Sequence, residues 1–406
     1  MVRIIAPYAI AVMIIAGLAT GTPLVTVLGV ALLLVGVAAA LWSRWSLRRV
    51  SYERHVPEDR AFAGERVPVT LRITNRKPLG LPWLEARDSI PAGMIDEEEG
   101  AARSHAGADA ISIDWRTAAA SYERVARDLS LRAPERGVYR IGPVRLRSGD
   151  PFGLFAEERV DDERTRIIVY PRTIDLGDLR LPSRRPLGEL PHGIPVFEDP
   201  SRIAGIREYR PGDSLRRIDW NATARTGKMQ SRIYEPTSSQ QVLVCLNTQT
   251  VVPAWAGTVT AHLEHAISVA ASIARDAFDR RYAIGLLANS SVPDADRSMR
   301  ILPGRRPEQF VRVLEALAVI TPFVLEPLSA ALDREEHRLP AGMTLTVVTS
   351  LMTEDLAATL VRLQRRGHQV VVLSVAGELW YEELPAVPVI DVSHLAVAAA
   401  AEEVRA

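Results

Sequence analysis

The sequence predicts a multidomain chain: an N-terminal transmembrane helical hairpin, a β-sandwich of immunoglobulin-like kind, and a doubly wound parallel α/β domain. Three observations lead there. Residues Ile4 to Trp42 are nearly free of charge. From Val50 to about Pro171, short runs alternate apolar with polar residues and are cut by Gly and Pro, the pattern of half-buried antiparallel strands. After Gln241, continuous apolar runs alternate with amphipathic ones, as in a parallel sheet covered by helices on both faces. The implied division is a hairpin at 1–45, a sandwich at 50–172, a Pro-rich linker at 173–200, a signature segment plus α/β domain at 201–395, and a tail at 396–406.

The apolar stretch is too long for one helix across a bilayer and suits two short spans. Ile4 to Ala19 makes the first arm, Leu24 to Trp42 the second, and Gly21-Thr22-Pro23 supplies the turn. A cleaved signal peptide ending near Gly17-Leu18-Ala19-Thr20 is the competing reading; the second apolar run, which continues at once, argues against it. Arg44, Arg48, Arg49 and Arg54 follow the second span and Arg3 precedes the first. Positive flanks stay inside, so a multi-pass protein of the cell membrane is expected, its soluble domains facing the cytoplasm. Trp42 and Trp45 suit the membrane interface.

In the sandwich region Val67, Val69, Leu71 and Ile73 alternate with polar or small residues, and Val144 and Leu146 alternate with Arg145 and Arg147. The acidic run Asp96 to Glu99 reads as a solvated loop, with a metal site as the sharper alternative. Pro182, Pro186, Pro191, Pro195 and Pro200 prevent regular structure in the linker, where Arg184 and Arg185 offer a docking point or a solvated surface.

In the α/β domain, strands are expected at Gln241–Leu246, Tyr282–Ala288, Leu345–Val348 and Val370–Val375. Leu263, Ile267, Ala270, Ala274 and Phe278 lie along one face of a helix. Pro307 opens another, with Phe310, Leu314 and Leu317 on one side, and a third runs from about Thr353 to Arg366. The chain balances 49 Lys and Arg against 49 Asp and Glu, so its charge calls for neither nucleic acid nor an acidic substrate. Cys245 is the one cysteine and reads as a small core residue.

The densest segment is REYRPGDSLRRIDWNATAR, Arg207 to Arg225. Tyr209 precedes the turn Pro211-Gly212-Asp213; Arg217, Asp219, Trp220 and Arg225 follow. Alternating charges around an indole suggest Arg–carboxylate pairing laid against the ring. One reading is a structural clasp in which Asp213, Arg217, Asp219 and Arg225 tie the start of the domain to the sheet, with Trp220 packed beneath. The other is a recognition surface with Arg and Trp as anchors.

This segment resembles the signature of the domain of unknown function 58 family of bacterial proteins. GVYRIGPVRLRSGDPFGLFAEER, Gly137 to Arg159, resembles the family's upstream motif, and the order of apolar hairpin, β-rich region, signature and α/β domain fits as well. The resemblance implies that the α/β domain is von Willebrand factor A-like and that a MoxR-type AAA+ ATPase is a partner; it implies no settled activity.

Such a fold invites a test for a metal-ion-dependent adhesion site, which needs Asp-x-Ser-x-Ser after the first strand. Here Asn247-Thr248-Gln249-Thr250-Val251 stands instead, and Thr349-Ser350-Leu351 follows the later strand. The site at Asn247, Gln249 and Ser350 is degenerate, so no metal and no cofactor are expected; the loops remain candidates for a protein-docking face. His262, Glu264 and His265 suggest a zinc pair, against which two solvated histidines at a helix start are the plainer reading. Pro303-Gly304-Arg305-Arg306 is a turn rather than a phosphate loop, and no Gly-x-Ser-x-Gly elbow occurs. The expected function is a membrane-anchored, non-enzymatic adaptor or scaffold working with the ATPase, with other envelope-assembly proteins as further partners. The alternatives are a cell-envelope enzyme using the signature carboxylates and a divalent-metal-dependent ligand binder.

Overall fold

The computed structural model describes residues 2–95, 103–105, 110–174, 198–209, 218–236, 241–292, 295–340, 342–377 and 387–395. The acidic run at 96–99, the linker from 175 to 197 and the tail from 396 lie outside these residues. The chain divides into two compact units, Met1–Tyr170 and Pro171–Ala406.

The first unit opens with two helices, α1 (Val2–Ala19) and α2 (Pro23–Ser46). Pro23 stands at the first helical position of α2, where its missing N–H costs nothing. Among the described residues α2 is the helix long and apolar enough to cross a membrane. Small residues let the two helices approach. A Cβ on Gly17 would stand 2.6 Å from Thr26 Oγ1, and one on Gly29 would stand 2.6 Å from Ile14 Cγ1.

Strands follow: β1 (Val50–His55), β2 (Arg60–Phe62), β3 (Arg66–Asn75), β4 (Leu81–Pro91), β5 (Arg103–His105) and β6 (Ala110–Ala119). Then come β7 (Arg124–Arg132), β8 (Gly137–Ile141), β9 (Val144–Gly149), β10 (Ala156–Asp161) and β11 (Thr165–Tyr170). They make three sheets, ordered β1-β3-β7, β10-β9-β4-β6-β5 and β2-β11-β8. All pairs are antiparallel except β2 with β11. Val67, Val69, Leu71 and Ile73 of β3 and Val144 and Leu146 of β9 point into one shared core with Leu84, Trp115, Leu131 and Val169. The alternation in sequence is therefore the inside and outside of the sheets.

The second unit begins with a two-stranded ribbon, β12 (Glu198–Glu208) against β13 (Gln230–Pro236), with the short helix α3 (Trp220–Thr226) between them. Next come β14 (Gln241–Leu246), α4 (Thr260–Asp279), β15 (Ala283–Val292), β16 (Ala295–Gly304), α5 (Pro307–Val319) and α6 (Leu328–Glu335). The described chain closes with β17 (Thr344–Thr349), α7 (Glu354–Arg365), β18 (Gln369–Ser374) and β19 (Val389–Asp391). The sheet order is β16-β15-β14-β17-β18-β19, parallel throughout except for β16 at its edge.

Leu243 and Cys245 of β14 share a core with α6 and α7. The alternate residues Val242, Val244 and Leu246 are buried too, so they face the other side, where α4 lies along β14, β15 and β17. Phe278 of α4 stacks on Phe310 of α5 with ring centroids 4.8 Å apart. Burial pushes the Cys245 thiol up to about 12, as for an inert core residue. The antiparallel edge strand β16, the helix α6 and the helix α3 stand beyond what the periodicity predicted.

Candidate functional site

The parallel strands deliver their carboxyl ends to one edge, and three loops converge there. Asn247, next after β14, is buried, and its Nδ2 donates to Thr349 Oγ1 at 3.0 Å. Asn289 of β15 is fully buried, and its Nδ2 donates to Asn247 Oδ1 at 3.0 Å and to the Glu326 carbonyl at 3.2 Å. Asn289 Oδ1 accepts from the Thr248 N–H at 2.7 Å and the Thr248 hydroxyl at 2.9 Å. Asn247 Oδ1 also accepts from the Gln249 N–H at 3.1 Å. The Ser350 hydroxyl reaches the Gln249 carbonyl at 3.4 Å.

The structure thus brings Asn247, Gln249 and Ser350 together, but as members of a neutral network whose buried amides satisfy one another. This donor set does not fit a divalent cation. The carboxylate position is an amide, and its oxygen already accepts two N–H groups. Glu326 lends the network only its carbonyl; its carboxylate is held by Ser298 and Arg334. Among the described residues no group of three or more His, Cys, Asp or Glu side chains is placed to hold a metal. Nothing local in the sequence marks Asn289; it lies within β15, directly after the apolar run that ends at Ala288.

Above the network the loops carry large apolar side chains in the open. After Thr250 the chain turns through a short helical turn at Ala254–Ala256, leaving Val252 exposed and Trp255 87 % exposed. The Thr250 hydroxyl accepts from the Val259 N–H at 2.8 Å, which closes this loop on the start of α4. The loop before α6 adds Phe323, 63 % exposed. Thr258 Oγ1 donates to the Pro322 carbonyl at 3.4 Å, Ser290 Oγ to that of Thr321 at 3.1 Å, and the Leu325 N–H to that of Asn289 at 3.0 Å. Both loops are therefore pinned to the polar network beneath.

Of the signature, Gly212, Asp213 and Arg217 lie outside the described residues. Tyr209 is half-buried, and its N–H donates to the Met229 carbonyl at 2.8 Å. Asp219 is buried and caps α3: Oδ1 accepts from the N–H groups of Asn221 and Ala222, both at 3.0 Å. Gly227 closes the helix in the left-handed conformation with φ 69°. The Gln230 N–H donates to Thr223 Oγ1 at 3.0 Å, tying α3 to the start of β13.

Trp220 differs from its expected place beneath a charge network. It is the first helical residue, its side chain turns outward, and it is 68 % exposed. Arg225 is also exposed, in the last turn of α3, where a cation complements the helix dipole. Asp219 before the helix and Gly227 after it were the start and stop signals that the reading as a charge network passed over.

The histidines differ as well. His262 is half-buried, but His265 is buried rather than solvated, because it falls on the inward face of α4. Its Nε2 stands 2.9 Å from the Val392 carbonyl, so that nitrogen carries the proton. Burial holds the imidazole below its ordinary range, with His262 and His394 adding to the effect.

The family model described as "Protein of unknown function DUF58" matches residues 205–402. The "Uncharacterized protein YeaD" of Bacillus subtilis (strain 168) is 26 % identical over 212 residues, which cover 52 % of this chain and 50 % of that protein. The chain therefore spans about half the length of this curated relative. Among solved structures, the CARDB domain of the PF1109 protein from Pyrococcus furiosus is 12 % identical, with 30 % of this chain and 91 % of that one covered, at a TM-score of 0.21. Spo0M, the sporulation control protein of Bacillus subtilis, is 15 % identical, with 30 % and 50 % covered, at a TM-score of 0.19.

Proposed function

We propose that this chain is a membrane-anchored, non-enzymatic adaptor or scaffold that works with a MoxR-type AAA+ ATPase in assembling or remodelling proteins of the cell envelope. On this reading α1 and α2 span the membrane as a hairpin, the antiparallel sheets form an immunoglobulin-like sandwich, and the parallel sheet is a von Willebrand factor A-like domain. The observation that carries the reading is the carboxyl edge of that sheet. Trp255, Val252 and Phe323 stand exposed on loops fixed from below by a hydrogen-bonded neutral network. Exposed aromatic side chains on a rigid support are suited to anchoring a protein partner. A buried network whose amides are mutually satisfied supplies neither a nucleophile–base pair nor a cation seat. The choice of a MoxR-type ATPase rests on the family resemblance.

The test uses the full-length protein and a purified MoxR-type ATPase from the same cell. Trp255→Ala with Phe323→Ala should weaken association by about 2 kcal/mol or more, roughly thirtyfold, while the melting temperature stays unchanged. Undiminished association would remove the docking face from this edge. A parent protein that never binds the ATPase would remove the partner.

A further inference from the structure

We propose that the notch between the C-terminal turns of α2 and the β9–β10 hairpin holds one phospholipid of the phosphatidylethanolamine type. The inference rests on the reading of α2 as a membrane span.

The notch has a volume of about 600 Å³ and lies wholly within the first unit. Val37 and Leu41 of α2 and Phe155 of the hairpin supply apolar wall, and Ser43, Arg44 and Glu157 its polar lining. Its depth follows from how the hairpin lies along the helix. Arg159 of β10 donates to the carbonyls of Leu47 at 3.2 Å and Val50 at 2.7 Å, just past the end of α2. Residues 155–157 stand beside 37–44, further back along the same helix. The hairpin tip at 151–154 therefore points toward the apolar body of α2.

That tip is built to be firm and greasy. Asp150 is fully buried, and its carboxylate accepts from the Phe152 N–H at 2.8 Å and the Phe155 N–H at 2.5 Å. Trp83 Nε1 donates to the Asp150 carbonyl at 3.0 Å. Phe152 and Leu154 are left 70 % and 48 % exposed. In water two such side chains on a rigid turn are a liability; in the outer layer of a bilayer they are at home.

The polar lining sets the occupant. Ser43 is 2 % exposed, lines the notch, and its hydroxyl has no hydrogen-bond partner. Its oxygen has almost no accessible surface, so Ser43 forms the floor of the notch and the charged groups face an occupant. Among the described residues neither Arg44 nor Glu157 makes an ion pair. A lipid phosphate accepts from the Arg44 guanidinium. A primary ammonium on the same headgroup donates to the Glu157 carboxylate, while an acyl chain follows Val37, Leu41 and Phe155. A headgroup bearing phosphate and ammonium together pairs both charges; a glycerol headgroup offers Glu157 neutral hydroxyls in place of a cation.

Alkaline carbonate extraction of membranes carrying the full chain comes first. A protein that washes out refutes the span and the proposal with it. For the protein that stays, native mass spectrometry in mild detergent is run with added phosphatidylethanolamine, phosphatidylglycerol or phosphatidylcholine. The expected result is one retained phosphatidylethanolamine, favoured about tenfold over each of the others. Arg44→Ala should weaken retention of every phospholipid, and Glu157→Gln should erase the preference alone. Leu41→Trp, which fills the notch without touching a charge, should abolish retention. Equal retention of the three lipids, or unchanged retention in Arg44→Ala and Leu41→Trp, would overturn the proposal and leave the membrane span standing.

Discussion

Arg54 and Asp88 pair inside the first unit with side chains only 3 % and 2 % exposed. Nε and Nη2 of Arg54 meet the two carboxylate oxygens at 2.6 and 2.8 Å, and the Tyr52 hydroxyl adds a third bond to Asp88 at 2.7 Å. Removing one partner strands a buried charge, so Asp88→Ala should cost about 3–5 kcal/mol, read from denaturant unfolding of the protein. A loss within the range of an exposed pair, under about 1 kcal/mol, would show that water reaches the site. Lys77 is a second buried ion, with Nζ donating to Asn75 Oδ1 at 2.9 Å. Burial, with Arg159 adding repulsion, pushes its ammonium down to about 8, against 10.5 ordinarily. Between those values the unfolded chain binds the extra proton, so this group makes stability rise with pH across that window. Cys245, pushed up from 9.0 to about 12, acts with the opposite sign above pH 9. Lys77→Met keeps that thiol, so the difference in slope between variant and parent isolates the lysine. Identical slopes would mean that the amine is hydrated. In the signature, Asp219→Ala should cost at least about 1 kcal/mol, because the cap of α3 is lost, and Trp220→Ala, exposed, should stay within about 0.5 kcal/mol.

Among elements, the β9–β10 hairpin shows why its sequence reads GPVRLRSGDPFGLF. Gly142 has φ +108°, and a Cβ there would stand 2.6 Å from the Glu163 carbonyl and 2.9 Å from Arg54 Nη2. At Gly149 a Cβ would run into the Phe155 carbonyl across the turn. Gly149→Ala should therefore open the turn and lower the melting temperature by several degrees, whereas Gly153→Ala, with open space around it but a φ of +71°, should cost only the smaller strain of its backbone. Equal losses at both would show that backbone strain, not the close approach, decides. The strands and helices that bury a face were legible because their period is local: β3, β14, α4, α5 and α7 fall within a few residues of where the apolar pattern put them. The helix α3 was not, since it is seven residues long and none of them is buried; only its caps announce it. Half of the carboxyl-edge network was legible. Asn247 stood out where a carboxylate was sought, while its partner Asn289 lies 42 residues away and is joined to it only by the parallel pairing of β14 with β15. Exposure of Trp255 and Phe323 was not legible either, because an aromatic in a loop looks the same in sequence whether it is buried or bare.

For the whole molecule, the proposed membrane hairpin predicts on which side the residues after α2 lie. At about 1.5 Å per residue, α1 reaches roughly 27 Å and α2 roughly 36 Å, against a hydrocarbon layer of roughly 30 Å. As a span, the longer helix would tilt, and its last turns would leave the apolar layer at Trp42, Arg44 and Trp45, residue types that sit at the interface. If both helices span, Val2 and the residues just after Ser46 lie on the same side, and the turn at Thr20–Thr22 faces the other. Arg44, Arg48 and Arg49 then set the side, because short positively charged flanks stay in the cytoplasm. A reporter active only in the cytoplasm, fused after Ala406, should therefore be active, and one that needs export should be silent. If α2 alone spans, the same arginines still hold the C-terminal side inside while the N-terminus crosses. Labelling of a cysteine placed at Val2 distinguishes the cases, after Cys245→Ser removes the buried thiol from the background. Protection from an impermeant reagent at Val2 together with an active cytoplasmic reporter fits the hairpin. Labelling at Val2 with the reporter still active fits a single span. An active exported reporter would contradict the arginine rule for this chain and would place Trp255 and Phe323 beyond reach of any cytoplasmic ATPase.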